Sequence, residues 1–138
     1  MRIGIFTDGY TPYISGLVTS VVMLKKSLED LGHTVYIVTA NFNDFHYEYP
    51  KIQLINEGGL KIYITHGHYE YVKSSLSRLI TISKRNNCQL ALYGHNHRQQ
   101  EDNADGLKLF CPGAIKDDEY GVVDIVDNGF ICIGIKLK

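Results

Sequence analysis

Two short apolar runs, at residues 61–65 and 90–93, each end directly on a histidine-rich segment. The segments read Thr-His-Gly-His at residues 65–68 and Gly-His-Asn-His at residues 94–97. Short apolar, β-branched runs are typical of buried strands. Ligands of open α/β sheets collect outside the carboxyl ends of the strands, and imidazole is the commonest metal ligand. The spacing therefore favours metal binding, and the alternative is that these histidines only cap turns.

The first 40 residues have the pattern of a strand, a helix and a second strand. The strands are predicted at residues 2–6 and 34–39. Between them, apolar residues recur with a period close to 3.6 over residues 15–31, and Gly32 follows where a glycine ends many helices. Short connections between such elements predict a βαβ unit with a parallel pair of strands.

The pattern of the remaining residues, from residue 52 onward, predicts a hairpin, a helix and further strands. The hairpin joins residues 52–55 to residues 61–65, and an amphipathic helix is predicted over residues 72–86. Four more strands follow, at residues 90–93, 107–111, 121–126 and 130–137. The predicted fold class is α/β, with an N-terminal βαβ unit and a mixed sheet.

Composition limits the remaining classes of protein. The 138 residues, 44% of them hydrophobic and 21% charged, suit one folded domain. A net charge of -1 gives no electrostatic reason to expect a nucleic-acid partner. Three cysteines without paired spacing suggest reduced thiols, and neither a signal peptide nor a membrane-spanning run is recognisable. A cytoplasmic location is predicted, whereas the sequence does not indicate an oligomeric state.

Three segments in a fixed order carry a family resemblance. Residues 61–68, 92–97 and 110–114 resemble the small YfcE-like phosphodiesterases of the calcineurin-like metallophosphoesterase superfamily. Those proteins carry Thr-His-Gly-His, Gly-His-Thr-His and Asn-Pro-Gly-Ser in this order. The resemblance covers about residues 52–138, and residues 120–125 look like the family's terminal strand.

The resemblance implies a metallophosphoesterase-like layered fold and a metal-dependent activity. In that family, divalent ions, commonly Mn²⁺, hold the phosphoryl group of a phosphodiester or phosphomonoester while a metal-bound hydroxide attacks it. Carried over by position, His66 and His95 bind one ion and His97 binds the other. His68 has a second-shell or substrate-side role, or none. The implied partner is a small phosphate-ester substrate, and the implied cofactor is one or two divalent ions.

The carboxylate ligands of that family are mostly missing. Asp8 stands at the expected place after the first strand, but Tyr10 replaces the family's histidine, and no Gly-Asp pair occurs in the chain. Asn41 is a candidate for the family's asparagine ligand. Two alternatives are nearly as well supported: that Asn43 takes this role, and that neither residue does. The predicted activity is therefore either intact or impaired.

Residues 1–40 resemble a different family, the start of family-4 glycosyltransferases, which have the GT-B fold. The resemblance implies that Gly16 lies in a glycine-containing loop near a nucleotide sugar or acceptor, whereas the plainer interpretation is a flexible entry to the helix. The chain is thus interpreted as a single-domain mosaic with a junction at residues 41–51. The alternative functions are a nucleotide-sugar-binding fragment derived from a glycosyltransferase and a non-catalytic folded domain.

Overall fold

The computed structural model describes residues 2–7, 16–39, 52–126 and 129–137. The chain divides into two compact units, Met1–Lys51 and Ile52–Lys138. Each unit has its own sheet. Whether the two form one domain, with a junction at residues 41–51, stays a prediction.

The first unit contains the predicted strand, helix and strand. Strand β1 (Arg2–Thr7) pairs in parallel with β2 (Thr34–Thr39), and helix α1 (Gly16–Asp30) connects them. The helix packs on the sheet because one of its faces is apolar, and the buried side chains come from all three elements. These core residues are Ile5, Val21, Val35 and Ile37.

The second unit is built on a mixed five-stranded sheet. Strands β3 (Ile52–Glu57) and β4 (Leu60–Thr65) form the predicted antiparallel hairpin around Gly58 and Gly59. Strand β5 (Leu90–Tyr93) lies parallel to β4, and β7 (Leu107–Pro112) lies parallel to β5. The edge strand β6 (Gln99–Ala104) is antiparallel to β7, so the order is β3-β4-β5-β7-β6.

Helix α2 (Ser77–Arg85) covers one face of this sheet. Its Leu79 is fully buried among side chains that point from β4, β5 and β7 toward the helix. The buried residues of this core are Tyr63, Val72, Leu79, Cys88, Ala91, Tyr93, Leu107, Leu109 and Cys111. Two of these residues, Tyr63 and Tyr93, place buried hydroxyl groups in adjacent strands.

The chain ends in an antiparallel hairpin, β8 (Glu119–Val126) and β9 (Gly129–Lys136), which follows a 3₁₀ turn at Ile115–Asp117. Strand β6 holds the hairpin through one side chain, because Gln99 Nε2 donates to Tyr120 O at 3.1 Å and to Ile135 O at 2.8 Å. Close approach needs glycine in the hairpin: a Cβ on Gly121 would lie 2.6 Å from Cε1 of Phe110 and 2.7 Å from Cβ of Pro112.

The α/β class with a mixed sheet is confirmed, but the predicted start of the second helix is wrong. The second helix begins at Ser77 rather than at residue 72. Residues 71–74 form turns instead, with Tyr71 at φ 56°. The Val72 N–H donates to Gly67 O at 3.3 Å, so this stretch bonds to the first histidine segment and cannot start the helix.

Strand β6 was not predicted. Its sequence, Gln-Gln-Glu-Asp-Asn-Ala, has no apolar alternation because an edge strand has only one bonded neighbour and is partly exposed along its length. A local signal was present in Asp105-Gly106, a pair that favours tight hairpin turns. Both residues have positive φ, 46° and 84°, as a type I′ turn requires.

In the described part of the chain, neither helix is long and apolar enough to cross a membrane.

Candidate metal centre

The two histidine segments meet at one edge of the sheet. Strands β4 and β5 are parallel, and their last residues, Thr65 and Tyr93, are register partners. The segments that follow therefore leave the sheet side by side. The Gly94 N–H donates to His66 O at 3.1 Å, so the backbones of the two segments are directly bonded.

Three of the four imidazoles, those of His66, His68 and His95, form a cluster with His95 at its centre. The ring centroids of His66 and His95 are 4.9 Å apart, and those of His68 and His95 are 5.1 Å apart. Nδ1 of His68 lies 3.4 Å from Nε2 of His95. His66 is buried, with 6% of its surface exposed, whereas His68 is exposed. His97 is partly buried at the far end of its segment.

The second histidine segment has a strained backbone. His95 and His97 have φ of 73° and 54°, in the left-handed region that side chains other than glycine rarely adopt. Such a conformation costs about 1–2 kcal/mol per residue. Strain of this kind persists where the surrounding structure imposes it, and it clusters at functional sites. Two strained histidines in one segment thus point to a role for their side chains beyond packing.

A glycine is required in the first histidine segment. Gly67 has φ 98°, and a Cβ there would lie 2.8 Å from Cγ2 of Val72 and 3.2 Å from Gly94 O. The close approach of the two segments, which brings the imidazoles together, therefore depends on the absence of a side chain at this position.

A buried carboxylate, Glu70, lies behind the first segment. It is 2% exposed, and its two oxygens accept separate hydrogen bonds. Tyr63 Oη donates to Oε1 at 2.9 Å, and Thr65 Oγ1 donates to Oε2 at 3.0 Å. Thr65 Oγ1 in turn accepts the Gly67 N–H at 3.2 Å. The carboxylate is thereby linked to the backbone between the two histidines of this segment.

Sequence reasoning missed Glu70. The available signal was an acid two residues after Thr-His-Gly-His, together with two hydroxyl residues, Tyr63 and Thr65, at alternate positions of β4 and so on one face. Burial raises the pKa of Tyr63, and its hydrogen bond to Glu70 raises it further. The phenol therefore stays protonated and available as a donor.

Tyr93, the neighbouring buried tyrosine, is in a different situation. Burial raises its pKa, and the Asn96 side chain beside it lowers the pKa in part. Among the described residues, neither the Tyr93 hydroxyl nor Asn96 Oδ1 reaches a partner with hydrogen-bond geometry. Asn96 Nδ2 instead donates to Gln100 Oε1 at 3.3 Å, which ties the second histidine segment to β6.

Removing the hydroxyl group is expected to change the free energy of unfolding in opposite directions at the two tyrosines. We expect Tyr93→Phe to raise the free energy of unfolding by about 1 kcal/mol, since a buried polar group without a partner costs about 1–3 kcal/mol. Tyr63→Phe is expected to lower it by about 1.5–3 kcal/mol, because a hydrogen bond to a charged group is lost. Urea unfolding of both variants measures this, and shifts in the same direction would contradict the assignment.

The remaining predicted site residues lie elsewhere. Asp8 and Asn41 fall outside the described residues. Gly16 is the first residue of α1 and is exposed, with nothing within 4 Å of an added Cβ. Within residues 2–7, 16–39, 52–126 and 129–137, no three His, Cys, Asp or Glu side chains converge as ligands of a single metal ion.

One pair of imidazole nitrogens in the cluster lies close together. Nitrogen ligands lie about 2.0–2.1 Å from a tetrahedral zinc ion, which places two of them about 3.4 Å apart. The separation of His68 Nδ1 and His95 Nε2 is 3.4 Å. Neutral imidazole suits zinc, copper, iron and nickel. This separation is therefore compatible with two ligands of one ion, and it is also within hydrogen-bond distance.

The sheet is that of an α/β protein, and the strand-end histidines lie at the carboxyl edge of its parallel strands, where ligands of such sheets collect. The sequence matches the family model of the calcineurin-like phosphoesterase superfamily domain over residues 16–128. The chain belongs to this superfamily. The match begins well before residue 52, where the resemblance was predicted to start, and it includes α1 and β2.

Solved structures share the fold. A predicted phosphoesterase from Streptococcus pneumoniae superposes with a TM-score of 0.74 at 19% identity, covering 98% of this chain and 88% of that one. Vps29 from Entamoeba histolytica, solved in complex with zinc, has a TM-score of 0.65 at 16% identity, with coverages of 97% and 96%. An archaeal phosphodiesterase has a TM-score of 0.61 at 19% identity, with coverages of 96% and 82%.

Two curated relatives carry a different name, alpha-monoglucosyldiacylglycerol synthase. An alpha-monoglucosyldiacylglycerol synthase from Acholeplasma laidlawii is 67% identical over 39 residues, which is 28% of this chain and 10% of the synthase. The synthase of the same name from Streptococcus pneumoniae is 47% identical over 55 residues, or 40% of this chain and 12% of the synthase. The chain thus matches only about a tenth of the length of these relatives.

Proposed function

We propose that this protein is a metal-dependent phosphoesterase that hydrolyses small phosphodiesters or phosphomonoesters. The observation that carries the proposal is the pair of histidine segments bonded through Gly94 N and His66 O, with the imidazoles of His66, His68 and His95 clustered at the sheet edge. Membership of the calcineurin-like superfamily supports the reaction class.

The proposed ligands follow the family arrangement. His66 and His95 hold one ion and His97 holds a second, while Asp8 and Asn41 are the candidate oxygen ligands. When bound, divalent ions stabilise the negative charge that develops on a phosphoryl group and favour attack by water. The chain's own contribution is to orient the imidazoles before the ion arrives, through the strained backbone at His95 and His97.

The activity is proposed to be weaker than that of a phosphoesterase with the full ligand set. A bridging carboxylate normally neutralises the charge of two adjacent ions, and no Gly-Asp pair supplies one here. Manganese is the metal expected from the family resemblance. Zinc is the alternative, supported by the zinc complex of the Vps29 structure with the same fold.

The test is hydrolysis of a chromogenic aryl phosphodiester and of the matching monoester by protein freed of metal with a chelator. We expect no turnover without metal and a measurable rate when Mn²⁺ or Zn²⁺ is restored, because divalent ions stabilise the charge that develops on the phosphoryl oxygens. Absence of turnover with Mn²⁺, Zn²⁺, Co²⁺ and Ni²⁺ would reject the catalytic proposal. Turnover that survives complete removal of metal would reject the metal dependence.

A second function is favoured by the 67% identity over 39 residues to an alpha-monoglucosyldiacylglycerol synthase. We infer that the chain is a mosaic, in which a short glycosyltransferase-derived stretch occupies part of a phosphoesterase framework. Both families begin with a βαβ unit, so the exchange preserves packing. Residual nucleotide-sugar binding near Gly16 is then expected to be independent of metal. Calorimetry with common nucleotide sugars tests it, and no binding heat at millimolar ligand would eliminate this function.

A further inference from the structure

The loop that follows the first histidine segment carries aromatic rings outward from the histidine cluster. The His68 ring stands nearly perpendicular to the His95 ring, at 84°, with centroids 5.1 Å apart. Tyr69 continues the row, because its ring meets that of His68 at 86° with centroids 5.5 Å apart. Edge-to-face contacts of this kind are favourable between aromatic rings. A row of three rings therefore leads from the centre of the cluster to Tyr69.

The residues of this loop alternate between the surface and the interior. Glu70 and Val72 are buried, with 2% and 4% of their surfaces exposed. Tyr69 and Tyr71 are 50% and 63% exposed, and Lys73 is exposed as well. Burying a tyrosine ring is favourable because it removes a large apolar area from water. The loop instead presents two rings at the surface, beside the histidine cluster, and turns its one acid inward.

The backbone holds Tyr71 at the surface in a strained conformation. Its φ is 56°, a value that is rare for a bulky side chain. Its N–H donates to His68 O at 3.2 Å, and its carbonyl oxygen accepts from Ser74 N at 2.9 Å. The Arg78 guanidinium, from the first turn of α2, lies 5.4 Å from the centroid of its ring, as in a cation–π contact. Backbone strain of this kind clusters at ligand-binding sites.

The exposed side of the loop and of the helix start is positively charged. Lys73 and Arg78 are both at the surface, whereas Glu70, the one acid between His68 and Arg78, is buried. Surface charge of one sign raises the local concentration of ligands of the opposite sign. This surface, with exposed aromatic rings and positive charge, is therefore complementary to an anion that carries an aromatic ring.

We propose that Tyr69 selects phosphate esters whose alcohol carries an aromatic ring, which is a nucleobase or a simple aryl group. The ring of the ester stacks on Tyr69, and its phosphate lies at the histidine cluster, where Lys73 and Arg78 attract it. Aromatic side chains stack on flat ligand rings without regard to their substituents. This inference rests on the proposed phosphoesterase function and names the substrate class of that site.

The experiment compares phenylphosphonate with methylphosphonate, which carry the same anionic group on an aromatic and on an aliphatic carbon and are not phosphate esters. Calorimetry measures the binding of each to the full chain in the presence of Zn²⁺. Given the energy of stacking on one aromatic side chain, phenylphosphonate is expected to bind at least about fivefold more tightly. Tyr69→Ala should remove this preference by weakening phenylphosphonate alone, and Tyr69→Phe, which keeps the ring, should retain it.

Two helix variants separate charge from stacking. Arg78→Ala is expected to weaken the binding of both phosphonates by the same factor, since the guanidinium acts on the anionic group that they share. Arg85→Ala, at the last residue of α2, is its control and should change neither affinity. Tyr69 is half-exposed, so its replacement is not expected to unfold the chain, and circular dichroism verifies this.

Three results would overturn the inference. They are equal affinities of the parent for the two phosphonates, a preference that persists in folded Tyr69→Ala, and no binding of phenylphosphonate at millimolar concentration. The phosphonate analogue of AMP distinguishes the sources of the ring. Binding that is tighter than that of phenylphosphonate and depends on Tyr69 identifies nucleotides, and weaker binding identifies small aryl esters.

The outcome is separable from that of the proposed function. A preference for phenylphosphonate that depends on Tyr69, in a protein without any hydrolysis, would uphold the inference and reject the catalytic proposal. Metal-dependent hydrolysis together with equal binding of the two phosphonates would do the reverse.

Discussion

Replacing His95 by alanine is expected to abolish metal-stimulated phosphoester hydrolysis. His95 is the central ring of the cluster, with centroids 4.9 Å from His66 and 5.1 Å from His68, and it is one of the proposed metal ligands. Metal ions supply several kcal/mol of charge stabilisation in phosphoryl transfer, which corresponds to a loss of at least about 10³-fold in rate. Steady-state kinetics with saturating Mn²⁺ or Zn²⁺ measures this loss.

A second variant separates ligand loss from structural damage. His95 has φ 73°, so His95→Gly removes the same imidazole and also relieves backbone strain. We expect His95→Gly to be as inactive as His95→Ala but more stable by about 1 kcal/mol. That result would indicate that a strained residue is kept for its side chain.

The control for His95 is His33→Ala, which removes one imidazole outside the cluster and should retain the parental rate. A His95→Ala protein that folds and retains more than a tenth of the parental rate would refute the central role of this ring. Equal stability of the alanine and glycine variants would refute the interpretation of the strained backbone.

Replacing Glu70 by alanine is expected to cause the largest loss of stability of any single change considered. Its carboxylate accepts hydrogen bonds from Tyr63 and Thr65, and all three groups are buried. Removal leaves two buried hydroxyls without their acceptor. Each hydrogen bond to a charged group contributes about 1.5–3 kcal/mol, so the free energy of unfolding should fall by about 3–6 kcal/mol.

Glu70→Gln is the matched control. The carboxamide is nearly isosteric, accepts one hydroxyl through its carbonyl and donates to the other hydroxyl oxygen, so we expect it to recover more than half of the loss. Urea unfolding monitored by tyrosine fluorescence gives both values. A loss below about 1 kcal/mol in Glu70→Ala would mean that the carboxylate is not part of the packed interior.

The same pair of variants tests how the histidine segment is held. Thr65 Oγ1 connects Glu70 to the Gly67 N–H, between His66 and His68. If this connection positions the imidazoles, Glu70→Gln should fold and yet bind Zn²⁺ more weakly than the parent. Parental zinc affinity in a folded Glu70→Gln protein would limit the role of Glu70 to stability.

Much of the fold follows from periodicity in the sequence. The βαβ unit and the β3-β4 hairpin were predicted because apolar residues recur with the helical period or as short β-branched runs between glycines. Strand β6 was not predicted because its polar residues at the sheet edge carry no such pattern. The start of α2 was misplaced because Val72 fits the helical period, although its N–H bonds to Gly67 O in the turn.

For the site, the sequence by itself placed two histidine segments directly after apolar strands and predicted that they contribute to one site. The structure adds that the two strands are parallel neighbours, so both segments lie at the same edge of the sheet. Only the tertiary structure decided that His95 is the central ring, that His68 Nδ1 approaches its Nε2, and that Glu70 lies buried behind them. Those facts depend on the backbone torsions and side-chain directions of two turns, which no residue pattern along the chain specifies.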